Sequence, residues 1–410
     1  MNRVKRWPWV VALAIAAVFG RPAIDFSRVV ATRAVEAATV RWGDKLWRPR
    51  QAAVVQATSA QGDEIVEYLR RMREPGLSPA RLQELDFSSE RAYVQSTDTL
   101  RAQLKADLRY PPPGFERKVG PAVETMLGSD DLADYYSVRV EALPGVHTGG
   151  TYARPKRRPA GERLPLIIAA GGRGAAPPAA ADGTTSFVSH SNRDLMHGAL
   201  RRGYAVWSPV YIFYREGKGN DYREHLTAQA WEVGTSLPAI EIAKTVKAID
   251  ALLLRPEIDA ERVAMVGMSY GGFATLYTAA LDPRIRAAVV AAYFNDREAV
   301  LGASEPHGFL DWRFQNSLSK WQDPALVALV CPRALLVQSG NQDQLFPIEG
   351  ARRAAPLARA NYERLGVATR FRFSEFVGRH DFNGDEAWEF ISNAFASDER
   401  SAVVQANQKK

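Results

Sequence analysis

From residue 164 onward, short apolar runs alternate with segments of helical spacing, and no other feature restricts this chain's folding as much. The apolar runs lie at 166–170, 204–209, 263–266, 287–292 and 334–338, a further strand candidate lies at 370–373, and the helical segments lie at 192–202, 236–254, 271–281, 349–365 and 384–396. A strand that is apolar nearly throughout has no solvent side, so it is buried on both faces. Helices between such strands supply the crossovers that a parallel sheet needs. The pattern predicts an α/β fold: a mostly parallel central sheet covered by helices on both faces. The stretch 171–183, rich in Ala, Gly and Pro, reads as a loop between two sheet strands.

Upstream the pattern differs. Residues 136–143 alternate apolar and polar, Pro144-Gly145 can turn the chain, and 146–153 returns, which together predict a hairpin. Residues 62–110 read as helical, with one stripe of Ile65, Val66, Leu69 and Met72. A second stripe of Ala92, Leu100, Leu104 and Leu108 follows a capping Ser88 or Ser89. Pro111-Pro112-Pro113-Gly114 then stops the helix. The expected division is a helical N-terminal extension over 26–113 and a main domain over 136–400, with lid-like insertions near 211–235 and 293–323.

A chain of 410 residues with 46% hydrophobic content can bury a large core. Its net charge of +7 belongs to one end: the first 50 residues carry ten Lys/Arg and three acids, and the remaining 360 balance. A nucleic-acid binder needs a basic face on its folded body, so nucleic acid is not an expected partner. Residues 1–25 open with Arg3, Lys5 and Arg6 and continue uncharged from Trp7 to Gly20, a run short of the roughly 20 apolar residues that span a bilayer. This fits a cleaved export signal, an uncleaved anchor or a buried N-terminal helix. The following segment, with Val29, Val30, Val35, Ala38 and Trp42 beside Arg28, Arg33 and Arg41, suits either an anionic membrane surface or packing on the body. The expected location is exported, periplasmic or secreted, or membrane-tethered, with a cytoplasmic one as the alternative. The single cysteine, Cys331, has no internal partner and reads as a small buried hydrophobe; no metal site is expected.

The chemistry centres on Gly267-Met268-Ser269-Tyr270-Gly271, set between the apolar run 263–266 and a helical segment. Strand, sharp turn and helix with a serine at the apex form the context of a GxSxG nucleophile elbow, where glycines leave room for close neighbours. A serine hydroxyl needs a base to become nucleophilic at neutral pH. Catalytic groups in open α/β sheets gather at the carboxyl ends of strands. Two such ends downstream carry Asp343 and His380, in the chain order Ser, Asp, His that such a fold uses. His380 is the candidate base and Asp343 the group that orients it; Asp381, its chain neighbour, is the weaker orienter. For a developing oxyanion, the candidate backbone donors are Tyr270, following the serine, and Gly172 or Arg173 in the loop after 166–170. Helix 236–254, with Glu241 set against Lys244, reads as scaffold.

These residues resemble the α/β-hydrolase superfamily, and more narrowly the dienelactone-hydrolase and acetyl-xylan-esterase-like groups and the prolyl oligopeptidase catalytic domain. The similar stretches are 249–259, the elbow with Tyr270-Gly271-Gly272, Tyr293 to Arg297, Pro332 to Leu336 and the Asp343 and His380 loops. Many relatives begin the oxyanion loop with His-Gly, where this chain has Ala170. The resemblance implies an α/β-hydrolase fold and a serine esterase with Ser269, Asp343 and His380 as triad, needing no cofactor. A small-molecule or carbohydrate-linked ester is the implied substrate. A peptidase or amidase is the alternative, although the mostly helical residues before 136 are too few for a β-propeller; a non-catalytic binding protein is a third reading. Aromatic residues of the insertions and of the Asp343 loop, Tyr293, Phe294, Trp312, Phe314 and Phe346, are candidates for a substrate pocket. His225 and His307 read as structural or solvent-facing.

Overall fold

The computed structural model describes residues 31, 56, 58–69, 71–72, 84–157, 161–173, 190–212, 222–297 and 310–408. The export or anchor segment at 1–25, the basic segment that follows it, and His307 lie outside them. Two compact units are present, Met1–Arg71 and Met72–Lys410. In the first, residues 58–69 are helical, and Ile65, Val66 and Leu69 of the expected stripe are exposed. No helix among the described residues is long and apolar enough to cross a membrane.

The second unit is built on a nine-stranded sheet. Its strands are β1 (Val123–Ser129), β2 (Ala133–Leu143), β3 (Val146–Pro155), β4 (Leu164–Ala170), β5 (Ala205–Pro209), β6 (Ile258–Met268), β7 (Ile285–Ala291), β8 (Ala334–Gly340) and β9 (Phe371–Phe376), in the order β1-β2-β3-β5-β4-β6-β7-β8-β9. The pairs β4·β5, β4·β6, β6·β7, β7·β8 and β8·β9 are parallel. The hairpin β2–β3 joins them antiparallel through β5, and β1 adds an edge strand that hydrophobic patterning does not announce, since nearly all of it is exposed.

Successive residues of β4 face opposite sides, so Leu166 and Ile168 enter one core and Ile167 and Ala169 the other. Helices α5 (Leu237–Leu252), α6 (Tyr270–Leu281), α8 (Asp323–Val330) and α9 (Ile348–Arg364) contribute to the first core. Helices α3 (His190–Leu200) and α10 (Gly384–Gln408) contribute to the second. Two further helices, α4 (Tyr222–Glu232) and α7 (Ser317–Lys320), belong to the two insertions. Ser236 caps α5 by accepting from Ala239 N at 3.1 Å, with Pro238 in the first turn where its missing N–H is not needed.

The expected extension over 26–113 is divided between residues 71 and 72. Its later part forms α1 (Glu90–Ser96), capped by Ser89, and α2 (Asp98–Leu108), and these belong to the main core. Tyr93, Leu104 and Leu108 are buried there, Tyr93 OH donates to Ala328 O, and Arg101 donates to Ala280 O and Leu329 O. A polyproline stop marks where a helix ends; it does not say where that helix docks. Cys331 is buried between α8 and β8, and burial pushes its thiol up to about 12, so it is an unreactive packing group.

Candidate active site

The elbow is built as its spacing predicts. β6 ends at Met268, α6 starts at Tyr270, and Ser269 between them has φ 57° and ψ −120°, a backbone conformation that a non-glycine residue adopts only under constraint. The constraint is crowding. A Cβ at Gly267 would stand 2.0 Å from Gly271 O, and one at Gly271 would stand 1.9 Å from Ala170 O. Ser269 N donates to Ala291 O on β7 at 2.9 Å, fixing the turn to the sheet. Gly271→Ala is therefore expected to destabilise the protein by roughly 3 kcal/mol, because the clash is with backbone that cannot step aside. Gly120→Ala, in open space, is expected to stay within roughly 0.5 kcal/mol, both variants being read by urea titration.

Ser269 is 9% exposed and its side chain makes no capping hydrogen bond to the helix that follows. Gly172 lies against it: a Cβ there would be 3.4 Å from Ser269 Cβ and 3.9 Å from Ser269 Oγ. Tyr270, as the first residue of α6, carries one of the N–H groups that a helix leaves without an internal acceptor. The loop after β4 and the start of α6 thus flank the serine from two sides.

Asp343 and His380 lie beyond the carboxyl ends of β8 and β9. His380 Nδ1 is 2.8 Å from Asp343 Oδ2, while Asp343 Oδ1 accepts from Leu345 N at 2.8 Å and Phe346 N at 3.0 Å. The Asp343 side chain is 1% exposed and that of His380 22%, so the acid is enclosed and the ring keeps an open edge. Asp381, the alternative orienter, accepts from Phe382 N. The loop carrying His380 folds onto the end of β8, where a Cβ at Gly340 would stand 2.1 Å from Arg379 O. Among the described residues no hydrogen bond joins Ser269 Oγ to His380. In free enzymes such contacts are commonly long and tighten only with substrate.

The five aromatic candidates for a pocket are packed in the core beside the site. All are buried, Phe314 being the most exposed at 5%. Trp312 stacks on Phe346 at 5.7 Å and 14°, Phe346 stacks on His380 at 5.7 Å and 15°, and Trp312 lies 5.7 Å from the Tyr270 ring. Tyr293 packs on Trp312 and Phe346, and Phe314 sits edge-on to Tyr277. Large apolar rings gain most by removing each other from water. Four of the five form packed walls that run from the residue after Ser269 to His380, and Phe294 is buried in the same core. His225 is exposed, as expected.

Sequence reasoning paired Glu241 with Lys244 but missed Arg223 and the burial of the whole charged cluster behind Tyr270. Glu241 and Lys244, spaced like a surface pair, are both buried and 2.9 Å apart. Glu241 also lies 3.4 Å from Arg223, whose guanidinium sits over the Tyr270 ring at 4.3 Å and donates to its hydroxyl. Burial raises the Glu241 carboxyl, but Lys244 and Arg223 outweigh it, so the group stays below its usual range and charged. Burial likewise holds the Tyr270 phenol well above its usual range, and it remains protonated. The Glu241–Lys244 pair is local, but no local pattern marks Arg223, whose partners Glu241 and Tyr270 lie 18 and 47 residues away.

The sequence pattern of the Prolyl oligopeptidase family matches residues 217–362, about a third of the chain. The Bacillus subtilis (strain 168) protein named "Putative hydrolase YtaP" is 29% identical over 181 residues, which cover 43% of this chain and 60% of that protein. This chain therefore spans about three fifths of that relative's length. A Salmonella typhimurium protein named "Putative carboxymethylenebutenolidase" is 24% identical over 294 residues, 70% of this chain and 96% of that one. Among solved structures, one named a putative acetyl xylan esterase from Bacteroides fragilis aligns with TM-score 0.56 at 15% identity, covering 72% of this chain and 78% of that chain. Methylesterase BT1017 aligns with TM-score 0.57 at 16% identity, covering 83% and 68%. With its parallel sheet, the strained serine at the end of β6 and these relatives, the chain has the α/β-hydrolase fold and is similar to hydrolases of that superfamily.

Proposed function

We propose that this esterase-like hydrolase is a serine enzyme that cleaves carboxylic esters through Ser269, His380 and Asp343. The observation that carries the reading is the Asp343–His380 pair at 2.8 Å, held at strand ends beside a serine in a strained elbow. Asp343, with Oδ1 occupied by two backbone N–H groups, takes the Nδ1–H of His380 on Oδ2 and leaves Nε2 with a lone pair. Ser269 Oγ attacks the ester carbonyl carbon while Nε2 takes its proton. The carbonyl oxygen becomes an oxyanion, accepted by backbone N–H groups of Tyr270 and of Gly172 or Arg173. The C–O bond breaks, the alcohol leaves with the proton from His380, and Ser269 holds the acyl group. Water then gives a proton to His380 and attacks the acyl carbon, releasing the acid and restoring the serine.

The names of the structural neighbours support an ester, and a small-molecule or carbohydrate-linked one is part of this proposal. Export or tethering through residues 1–25 is part of it too. The match to the Prolyl oligopeptidase family favours a second reading, an amidase or peptidase with the same residues. Matched p-nitrophenyl esters and anilides separate the two, because an amide requires protonation of a poorer leaving group. The expected result is ester turnover exceeding anilide turnover by at least about 10³-fold in kcat/KM, or about 4 kcal/mol, together with covalent labelling of Ser269 by a fluorophosphonate. Comparable rates on both substrates would replace the esterase reading with the amidase one.

A further inference from the structure

Behind the elbow, Asp311 spends its two carboxylate oxygens on two separate elements. It sits in the single helical turn Leu310–Trp312, fully buried. Oδ1 accepts from Arg173 Nη2 at 2.7 Å, and Oδ2 accepts from Arg223 Nε at 2.5 Å. Arg173 directly follows Gly172, which lies against Ser269. Arg223, on α4, is buried as well; it donates to Ile212 O and, through Nη2, to Tyr270 OH. Tyr270 directly follows Ser269. The two chain segments that flank the serine, far apart in sequence, are therefore tied by their side chains to one carboxylate.

Such a cluster is costly to bury. The Arg223 guanidinium and the Asp311 carboxylate must leave water entirely and the partly exposed Arg173 in part, and apolar side chains of similar volume would often stabilise as well or better. What the polar arrangement supplies and an apolar one would not is direction: each bond has a fixed donor, acceptor and length. An oxyanion hole depends on such control, because its donors act only if they are aimed at where the charge develops.

We infer that Asp311 is a positioning residue that sets the spacing of the two oxyanion donors, holding the loop after β4 through Arg173 and the start of α6 through Arg223 and Tyr270. The inference rests on the hydrolase reading above and extends it to residues that touch no substrate. Loss of the carboxylate leaves both backbones in place but free to drift by fractions of an ångström. That drift weakens binding of the transition state more than binding of the ester.

The test is kcat and KM on p-nitrophenyl acetate, and inhibition by a trifluoromethyl ketone whose hemiketal oxygen occupies the oxyanion position, for the full chain and the variants Asp311→Asn, Arg173→Gln and their double. Thermal unfolding checks that each is folded. Asp311→Asn is expected to lower kcat by about 10- to 100-fold, with KM within about 3-fold and inhibitor affinity falling in parallel with kcat. Arg173→Gln should cost about 10-fold, and the double variant should be no worse than Asp311→Asn within about 3-fold, since both cut one path. A folded Asp311→Asn with unchanged kcat and inhibitor affinity overturns the inference, as do effects that multiply in the double variant. If Asp311→Asn does not fold, Arg173→Gln and Tyr270→Phe each cut one arm; unchanged kcat in both overturns it equally. An enzyme that is active, dead as Ser269→Ala and insensitive at Asp311 rejects this inference alone. Full turnover in Ser269→Ala rejects the reading beneath it and the inference with it.

Discussion

Ser269→Ala is expected to lower kcat on p-nitrophenyl acetate by about 10⁵- to 10⁶-fold, the size of effect seen when a nucleophile that acts as one unit with its base is removed. The structure makes this substitution unusually clean. Ser269 Oγ makes no capping bond to α6, and alanine bears the same left-handed backbone conformation that serine does. Stability should therefore stay within roughly 0.5 kcal/mol of the parent. The measurement pairs steady-state kinetics with urea unfolding. A folded alanine variant that turns over ester at even a hundredth of the parent rate would remove Ser269 from the mechanism and send the search to another nucleophile.

Asp343→Asn should cost about 10⁴-fold in kcat with the fold intact, by analogy with tautomer reversal in serine proteases. The reason lies in which oxygen does what. Oδ1 of Asp343 accepts from Leu345 N and Phe346 N, so in asparagine the carbonyl oxygen is drawn to that position. The amide nitrogen then takes the place of Oδ2 and points its hydrogens at His380 Nδ1, which sits 2.8 Å away in the parent. The ring can satisfy that donor only by accepting at Nδ1, which moves its own proton to Nε2, the atom that must take the serine proton. The variant keeps every residue of the loop and loses the base. Kinetics with a thermal unfolding curve check both halves; a variant within 10-fold of the parent would show that Asp343 does not set the tautomer of His380.

Much of this site was legible before any coordinates. The elbow is local: an apolar strand, a turn with glycines and a helix start lie within fifteen residues, and the requirement for glycine follows from how close strand and helix must come. Asp343 and His380 were legible for a different reason. Asp343 follows an apolar run short enough to be recognised as a buried strand, His380 follows the alternating edge strand β9, and parallel strands present their carboxyl ends on one edge. The hairpin β2–β3 and the Ser89 cap of α1 were equally local and agree with the structure.

The aromatic residues show where that kind of inference stops. Tyr293, Trp312 and Phe346 come from different loops, and no local pattern says which of these rings will stack on which. α1 and α2 looked like part of a separate extension because a helix stripe says that a face is buried and not against what; they belong to the main core. Glu241 and Lys244 carry the spacing of a solvent-exposed pair, yet both are buried, because Arg223 arrives from another helix and extends the pair into a network.

The sequence by itself determined the parallel part of the sheet, the elbow and the order in which serine, acid and histidine appear, because each depends on periodicity and turn chemistry over a few residues. Only the tertiary structure decided what surrounds them. Asp311 meets Arg173 across 138 residues and Arg223 across 88, and no short-range pattern records which buried charge will find which partner. Burial selects those pairings, since a charge out of water must be matched wherever the fold brings it.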